Sequence, residues 1–194
     1  MRITLPKNGL RRGSRVYIRA PRPQDRDEFI GLNRASFDFY RRLTSPPTTP
    51  QQFAAYLKRC KQNNYEGFLV WRLEDDSIVG SINLSEIVLG SFKSAYLGYQ
   101  IGATFAGCGY MSEAIQLVLS YAFNDLKLHR IEANIQPHNT ASRALVRRAG
   151  FTEEGYSRRY LKISGLWRDH ERWAILAEDW RALRRPQGTR PYDK

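Results

Sequence analysis

The sequence contains few cysteine and histidine residues. Two cysteines and three histidines occur among 194 residues, and none of them has the spacing of a metal-binding motif. Cys60 and Cys108 lie far apart in the chain, so a disulfide framework is not expected either. We therefore predict a protein with no metal site and no disulfide bonds.

Long apolar runs are also missing. No stretch approaches the roughly 20 consecutive apolar residues that cross a bilayer. The first residues, Met-Arg-Ile-Thr-Leu-Pro-Lys, lack the apolar core of a secretory signal. These absences predict a protein with no membrane partner and a cytoplasmic location.

Acidic residues are scarce relative to basic ones. The chain has 19 acidic and 31 basic side chains, which give a net charge of +12. This charge attracts polyanions such as a phosphorylated coenzyme or ribosomal RNA. A solvated basic surface explains it equally well, because the arginine pairs are spread along the chain, at Arg11-Arg12, Arg41-Arg42, Arg147-Arg148, Arg158-Arg159 and Arg184-Arg185.

The composition is that of one folded domain. Hydrophobic residues make up 42% of the chain and aromatic residues 12%, which excludes wholesale disorder. A chain of 194 residues is long enough for one substantial core. We predict a flexible basic arm at residues 1–14, one domain at 15–180 and a frayed basic tail at 181–194.

A strand, a glycine-bearing turn and an amphipathic helix follow one another between residues 95 and 119. Gly107 and Gly109 lack a Cβ atom, so consecutive backbone N–H groups can converge on an anion at the start of the helix. The helix dipole adds to this attraction. The spacing matches neither the nucleotide-triphosphate loop nor the three-glycine dinucleotide pattern. The turn therefore predicts a site for a different phosphate-bearing ligand.

The remaining pattern predicts a mixed α/β domain. Thr49, Pro50 and Gln52 form the expected start of a helix, as N-cap, first helical residue and capping-box partner. Apolar residues at helical spacing predict helices at 24–37, 50–60, 111–123 and 139–149. Alternation and turn residues predict strands at 15–20, 67–73, 77–84, 96–101, 130–135, 156–163 and 167–176.

The turn at residues 106–111 resembles the central motif of the GNAT superfamily of N-acetyltransferases. In that family, Gln/Arg-x-x-Gly-x-Gly/Ala holds the pyrophosphate of acetyl-coenzyme A, and this chain departs from the motif at its first and last positions. The downstream segments follow the order and spacing of the ribosomal-protein-alanine acetyltransferases, at 138–142, 149–151, 154–156 and 165–170. This resemblance covers roughly residues 80–175.

The resemblance implies the acyl-CoA N-acyltransferase fold, a mixed sheet flanked by helices, with acetyl-CoA as cosubstrate and no metal. Backbone groups of three strand residues are implied to contact the pantetheine arm: Tyr99, Gln100 and Ile101. The turn and the first helical residues are implied to hold the pyrophosphate: Gly107, Cys108, Gly109, Tyr110, Met111 and Ser112. Asn139 and Ser142 are implied to face the pantetheine and the thioester.

Ser142 and Glu86 are the predicted catalytic residues. Family resemblance implies that Ser142 protonates the coenzyme sulfur, but Asn139 and Ser142 could instead only cap a helix. Glu86 could act as the base, alone or through water, or be an exposed loop carboxylate, and Glu132 is the next candidate. The commoner catalytic groups of the family are absent, because Asn134 replaces a glutamate and Val146 replaces a tyrosine.

An α-amino group is the best acceptor for such a site. Its pKa of about 7.7 to 8.0 is well below that of lysine, about 10.4, so a weak base suffices. Residues of the final hairpin are predicted to receive a cationic protein N-terminus: Tyr160, Trp167, Asp169 and His170. An alternative places the tryptophan in the core and Asp169 in a surface ion pair.

The sequence therefore predicts direct acetyl transfer in a ternary complex with no covalent enzyme intermediate. The expected acceptor is the N-terminal alanine of a small-subunit ribosomal protein, with ribosomal RNA nearby. One alternative is a small-molecule amine, namely an amino sugar, an antibiotic or a polyamine. Another is a ribosome- or RNA-binding accessory protein with a decayed site. The oligomeric state, monomer or dimer, is left open.

Overall fold

The computed structural model describes residues 11–41 and 43–184. This part of the chain contains eight strands and six α-helices. The strands are β1 (Arg11–Arg12), β2 (Val16–Arg19), β3 (Tyr65–Arg72), β4 (Ile78–Val88), β5 (Ser94–Ile101), β6 (Arg130–Ile135), β7 (Thr152–Ile163) and β8 (Leu166–Leu176). The helices are α1 (Arg26–Ala35), α2 (Phe37–Tyr40), α3 (Pro50–Arg59), α4 (Tyr110–Asn124), α5 (Thr140–Ala149) and α6 (Ala177–Leu183).

The strands form one mixed sheet in the order β1-β2-β3-β4-β5-β6-β8-β7. Every neighbouring pair is antiparallel except β5 and β6, which run parallel. That pairing joins only Ser94–Tyr96 of β5 to Arg130–Glu132 of β6. Beyond Tyr96 the two strands separate, and this divergence positions the site described below.

Helices cover both faces of the sheet. Alternate residues of β3 belong to different cores, because Phe68 and Val70 pack with α4 while Leu69 and Trp71 pack with α1 and α3. The apolar stripe predicted for α4 is confirmed, since all of its members are buried: Met111, Ala114, Ile115, Val118, Leu119, Ala122 and Phe123. The predicted mixed α/β class is confirmed as well.

The predicted helix signals are present in the structure. Gln52 N donates to Thr49 Oγ1 over 3.3 Å, and Thr49 N donates to Gln52 Oε1 over 3.2 Å, which forms a capping box at the start of α3. Gly150 ends α5 with φ of +98°, a left-handed conformation that favours glycine.

Two predicted elements differ from the structure. The helix predicted at 24–37 is divided into a short 3-10 turn, α1 and α2, and the break falls at Ser36. There the Ser36 hydroxyl accepts a hydrogen bond from Ala103 N over 2.9 Å, a contact distant in sequence. β4 extends past the predicted end at 84, through a register break that contains Glu86 with φ of +49°.

Regular structure overlaps both predicted terminal segments. β1 pairs with β2 inside the predicted arm, and α6 runs to Leu183 inside the predicted tail. Residues 1–10 and 185–194 of those segments lie outside the described residues, so the domain limits stay predictions. None of the helices at 11–41 and 43–184 is long and apolar enough to span a bilayer.

Candidate active site

A cleft of about 700 Å³ opens where β5 and β6 diverge. β5 lines one side with residues 97–101, and β6 with the following turn lines the other side with residues 133–136. The start of α4, α5, the loop at 43–44 and residues of β7 and β8 also contribute to the lining. Because β5 still pairs with β4 as far as Ile101, only its β6-facing edge is free at this point.

The free edge of β5 presents main-chain groups to the cleft. Gly102 N donates to Val79 O of β4 over 2.8 Å. Alternate residues of a strand direct their N–H and C=O groups to opposite edges, so the peptide groups of Gln100 face β4 and those of Tyr99 and Ile101 face the cleft. Two of the three predicted pantetheine residues thus offer backbone groups there. Gln100 does not, and its side-chain amide donates to Asn33 Oδ1 over 3.2 Å.

The glycine turn leads directly into α4. Gly107 and Gly109 have φ of +77° and +82°, in the left-handed region that favours glycine. Cys108 N donates to Phe105 O over 3.4 Å, so this N–H is occupied. Within the described residues, the turn and cap hydrogen bonds include no intramolecular acceptor for the N–H groups of Gly107, Gly109, Tyr110, Met111 and Ser112. This set of free donors at a helix start suits a pyrophosphate.

Arg15 and Glu113 fix the outer side of the turn. Arg15 Nη1 donates to Cys108 O over 3.0 Å, and its guanidinium lies 5.3 Å from the Tyr110 ring centroid. The Glu113 carboxylate accepts from Arg15 N over 3.0 Å and also from Ser14. Burial opposes ionisation of Glu113, but these hydrogen bonds prevail and lower its pKa.

Two predicted coenzyme residues therefore lack a side chain in the cleft. The Cys108 side chain is exposed, with Sγ 3.8 Å from Ala106 O. The Tyr110 ring packs edge-on against Phe105 at a centroid distance of 6.3 Å. Tyr110 can contribute its backbone N–H only, and Cys108 has neither a free N–H nor a side chain that lines the cleft.

Asn139, Ser142 and Tyr99 form a connected group on the α5 side of the cleft. Asn139 Oδ1 accepts from Ser142 N over 3.1 Å, which caps α5. Ser142 Oγ lies 2.5 Å from Tyr99 Oη. Burial raises the pKa of Tyr99 to about 12, so the phenol stays protonated at neutral pH. Helix capping and a place in the cleft, which the sequence left as alternatives, thus occur together.

Tyr160 and His170 lie on the opposite side of the cleft. His170 is only 3% exposed, and its ring centroid is 6.2 Å from that of Tyr160. Tyr160 Oη is 3.4 Å from Tyr96 Oη. Burial lowers the pKa of His170, so the imidazole is neutral at pH 7. Together they form an aromatic wall next to a neutral imidazole.

Trp167 and Asp169 do not line the cleft. Trp167 is 61% exposed near the tip of the β7–β8 hairpin. Asp169 accepts hydrogen bonds from Tyr156 Oη over 2.5 Å and from Arg159 N over 2.7 Å. Its carboxylate thus braces the register break of β7 and does not face an acceptor amine.

Glu86 lines the cleft from the register break of β4. Its side chain is 59% exposed and accepts from Asn64 Nδ2 over 3.3 Å. Glu86 is therefore both an exposed carboxylate and part of the cleft lining. Glu132, the other candidate base, binds Arg130 Nε over 2.7 Å.

Sequence reasoning missed the cleft role of Asn134 and Tyr96. Asn134 Oδ1 is buried with no hydrogen-bond partner among the described residues, and it lines the cleft. Alternation in β6 contained the signal, because Ile131, Ala133 and Ile135 are buried in the core and Asn134 must face the other way. Within residues 11–41 and 43–184, no group of three or more His, Cys, Asp or Glu side chains could hold a metal ion.

The fold and the cleft correspond to a known enzyme family. Residues 15–152 match the sequence model of the Acetyltransferase (GNAT) domain. This match covers more than half of the chain, which therefore belongs to the GNAT acetyltransferases. The predicted fold and enzyme class are confirmed, and the protein is an N-acetyltransferase that uses acetyl-CoA.

The chain is similar in sequence to individual N-acetyltransferases. The chain is 33% identical over 176 residues to the "Probable N-acetyltransferase YjcK" of Bacillus subtilis, covering 87% of this chain and 97% of that protein. It is 42% identical over 120 residues to the ribosomal protein uS5-alanine N-acetyltransferase of Escherichia coli, which covers 62% of each chain. That alignment spans less than two thirds of the E. coli enzyme.

The solved structures agree with this assignment. Mycobacterium smegmatis RimJ in complex with CoA-disulfide superimposes with a TM-score of 0.77 and 28% sequence identity, covering 84% of this chain and 83% of that chain. A spermidine N-acetyltransferase SpeG chimera from Vibrio cholerae and hSSAT has a TM-score of 0.74 and 24% identity, which shows the shared fold alone.

Proposed function

We propose that this enzyme acetylates the N-terminal alanine of a small-subunit ribosomal protein by direct attack in a ternary complex. The likeness to the uS5-alanine N-acetyltransferase of E. coli supports this acceptor. The observation that carries the donor side is the set of free backbone donors at the start of α4, beside the divergence of β5 and β6.

Main-chain groups bind the donor in this proposal. The N–H groups of Gly107, Gly109, Tyr110, Met111 and Ser112 hold the pyrophosphate, as at other helix N-termini. The peptide groups of Tyr99 and Ile101 extend to the pantetheine arm. Asn139 stays in place as the cap of α5 and forms part of the same wall.

The chemistry of the cleft supports direct attack. A serine becomes a nucleophile only beside a base, and the partner of Ser142 is a protonated phenol, because burial raises the pKa of Tyr99 to about 12. Cys108 lies outside the cleft lining. The Tyr99–Ser142 pair instead supplies the proton that the leaving sulfur requires.

The acceptor side suits a peptide N-terminus. A second hollow of about 470 Å³ adjoins the cleft and shares Leu43, Asn139 and Ala141 with it. This hollow has room for the residues that follow an N-terminal alanine. Arg41 and Arg168 line it, and Arg148 lines the cleft, so a polyamine would be repelled.

A ribosomal acceptor also implies a cytoplasmic location and contact with ribosomal RNA. Ribosomal proteins are made in the cytoplasm, so we place the enzyme there. The net charge of +12 is compatible with transient contact to ribosomal RNA.

A thiol-release assay on a panel of acceptors tests this function. We expect turnover with peptides that copy the N-terminal sequence of a ribosomal protein whose first residue is alanine. The same peptides with a blocked N-terminus are the control and should be inert. Turnover confined to polyamines, amino sugars or antibiotics would show a small-molecule enzyme.

A thermal-shift measurement with acetyl-CoA addresses the accessory-protein alternative. A saturating ligand that binds only the native state raises the melting temperature. No stabilisation by acetyl-CoA would mean that the site has decayed and that only a binding role remains.

A further inference from the structure

His170 is a buried imidazole whose tautomer is fixed by its neighbour. Its Nδ1 lies 3.0 Å from Arg168 O. A carbonyl oxygen only accepts hydrogen bonds, so Nδ1 carries the proton and Nε2 carries the lone pair. Nε2 lies on the far edge of the ring from this backbone contact, and the residue lines the cleft.

A second free acceptor lies on the neighbouring strand. Asn134 Oδ1 is buried, lines the cleft and has no hydrogen-bond partner among the described residues. Asn134 of β6 pairs with Arg172 of β8, so His170 is its diagonal neighbour on the same face. Diagonal neighbours of this kind lie about 7–8 Å apart. An amine between the two side chains could meet both acceptors.

We propose that His170 is the general base of the transfer and that Asn134 is a positioning residue that orients the acceptor amine. This inference rests on the proposed function, because it requires an amine in this part of the cleft. Asn134 accepts one N–H of the amine, and His170 Nε2 accepts another and removes its proton. Trp167 and Asp169 take no part.

The groups around His170 are compatible with this role. Burial opposes the protonated imidazole most strongly, and His138, in the turn before α5, also opposes it. The hydrogen bond to Arg168 O and the charge of Asp169 on the same strand favour it. The Tyr160 ring on β7 lies 6.2 Å from the imidazole between centroids, and Tyr160 Oη lies 3.4 Å from Tyr96 Oη on β5. Burial prevails, so His170 is a free base at neutral pH.

His170 suits the task better than Glu86. An imidazole has an unperturbed pKa of about 6.5 and a carboxylate of about 4.3, and the best general base has a pKa near the working pH. Glu86 is also 59% exposed, already accepts from Asn64, and lies within 4.0 Å of Arg59.

The acceptor nitrogen loses two protons during the transfer. The bound ammonium gives one proton to His170 Nε2, which passes it to water. The nitrogen lone pair then forms the C–N bond with the acetyl carbon, and His170 takes the second proton from nitrogen. The C–S bond breaks, and the sulfur leaves with its electron pair and takes a proton from the Ser142 hydroxyl, which recovers one from solvent. His170 then gives this second proton to water, and the net products are amide, thiol and one released proton.

Replacement of His170 by asparagine tests the proposal. The Asn side-chain amide can keep the donor to Arg168 O but cannot act as a base. We expect kcat of His170→Asn to fall about 100-fold or more, while stabilisation by acetyl-CoA is unchanged. His129→Gln, at an exposed histidine that bonds Glu178 outside the cleft and the adjoining hollow, is the control and should retain wild-type kcat.

The pH profile separates a base from a structural residue. Wild-type kcat should stay level down to the lowered pKa of His170, because the enzyme deprotonates its own acceptor. In His170→Asn, kcat should fall below the pKa of the acceptor amine, about 7.7 to 8.0. Asn134→Ala should lower kcat/KM for the peptide about 10-fold, a loss of one hydrogen bond, with unchanged coenzyme affinity.

Wild-type kcat and pH profile in a folded His170→Asn enzyme would overturn the inference. If that variant fails to fold, 15N NMR of wild-type protein with labelled histidine tests the inference. The proposal requires His170 to be neutral at pH 7, with its proton on Nδ1. A proton on Nε2 at that pH would exclude the base. Absence of any turnover by wild-type enzyme with alanine peptides would instead contradict the proposed function.

Discussion

Tyr99 Oη and Ser142 Oγ lie 2.5 Å apart and join β5 to the first turn of α5 on one side of the cleft. Ser142 is held at a second point, because its N–H donates to Asn139 Oδ1 over 3.1 Å. Ser142 is therefore held at its backbone N–H and at its hydroxyl before any substrate binds. Such preorganisation favours proton transfer at one defined position.

Ser142→Ala should lower kcat about 100-fold, because it removes the proton donor for the leaving sulfur. Tyr99→Phe keeps the ring and should reduce kcat less, since Ser142 retains its own hydroxyl. Steady-state kinetics and acetyl-CoA thermal shifts measure both effects, and coenzyme affinity should be unchanged. Ser120→Ala on α4, away from the cleft lining, is the control. Unaltered kcat in Ser142→Ala would remove this serine from the mechanism.

Gly107→Ala should weaken acetyl-CoA binding. Its φ of +77° disfavours a side chain, and the added methyl group would project into open space beside the cleft. Gly90→Ala is a matched control, because Gly90 has φ of +74°, equally open surroundings and no place in the cleft lining. Both variants should lose about 1–2 kcal/mol of folding free energy. Calorimetric titration with acetyl-CoA should show weaker binding only for Gly107→Ala, and equal affinity in both variants would contradict the proposed donor site.

Stability should fall as the pH rises above 10. Burial raises the pKa of Tyr99 from 10.0 to about 12, and burial also raises the pKa of Tyr65 and Tyr121. Below pH 10 these phenols are neutral in both states, so their contribution to stability is fully present. Between pH 10 and the folded pKa, the unfolded chain loses protons that the native protein keeps, which favours unfolding. Urea midpoints at pH 9 to 11 measure this loss, and Tyr99→Phe should make it smaller. A midpoint that rises over this range would contradict the burial argument.

Asn33→Ala should destabilise the fold and impair the acceptor side. Asn33 is fully buried, donates to Pro47 O over 2.8 Å and accepts from Gln100 Nε2 over 3.2 Å. Its removal leaves two polar partners unsatisfied, at a cost of about 1–3 kcal/mol. Urea unfolding measures this loss, and the peptide KM should rise because Leu43 and Thr44 of the attached loop line the cleft. Asn124→Ala, on the exposed side of α4, is the control and should change stability by less than about 0.5 kcal/mol.

Local features of the fold were predictable from the sequence. The apolar stripe of α4, the capping box of Thr49 and Gln52 and the glycine end of α5 depend on neighbouring residues only. Long-range register was not predictable in the same way. No local pattern shows that β5 leaves β6 after Tyr96, or that β6 continues beside β8.

The same limit explains why some predicted site residues lie elsewhere than expected. Trp167, Asp169 and His170 are near neighbours in sequence, but strand alternation and the register break of β7 direct them to different surroundings. Gln100 was grouped with Tyr99 and Ile101, although its peptide groups point to β4. The role of Asn134 in the cleft was not predicted, because the missing hydrogen-bond partner of its buried Oδ1 depends on residues distant in sequence.

The short parallel pairing of β5 and β6 has a consequence for how this enzyme can change. In the proposed mode, peptide groups and not side chains select the thioester, so point substitutions at positions such as Ala106 leave donor choice intact. Substitutions in the β7–β8 hairpin and in the loop at 43–44 then alter the acceptor side of the cleft alone. A change of acceptor therefore requires no change of acyl donor, because the path of the main chain selects the donor.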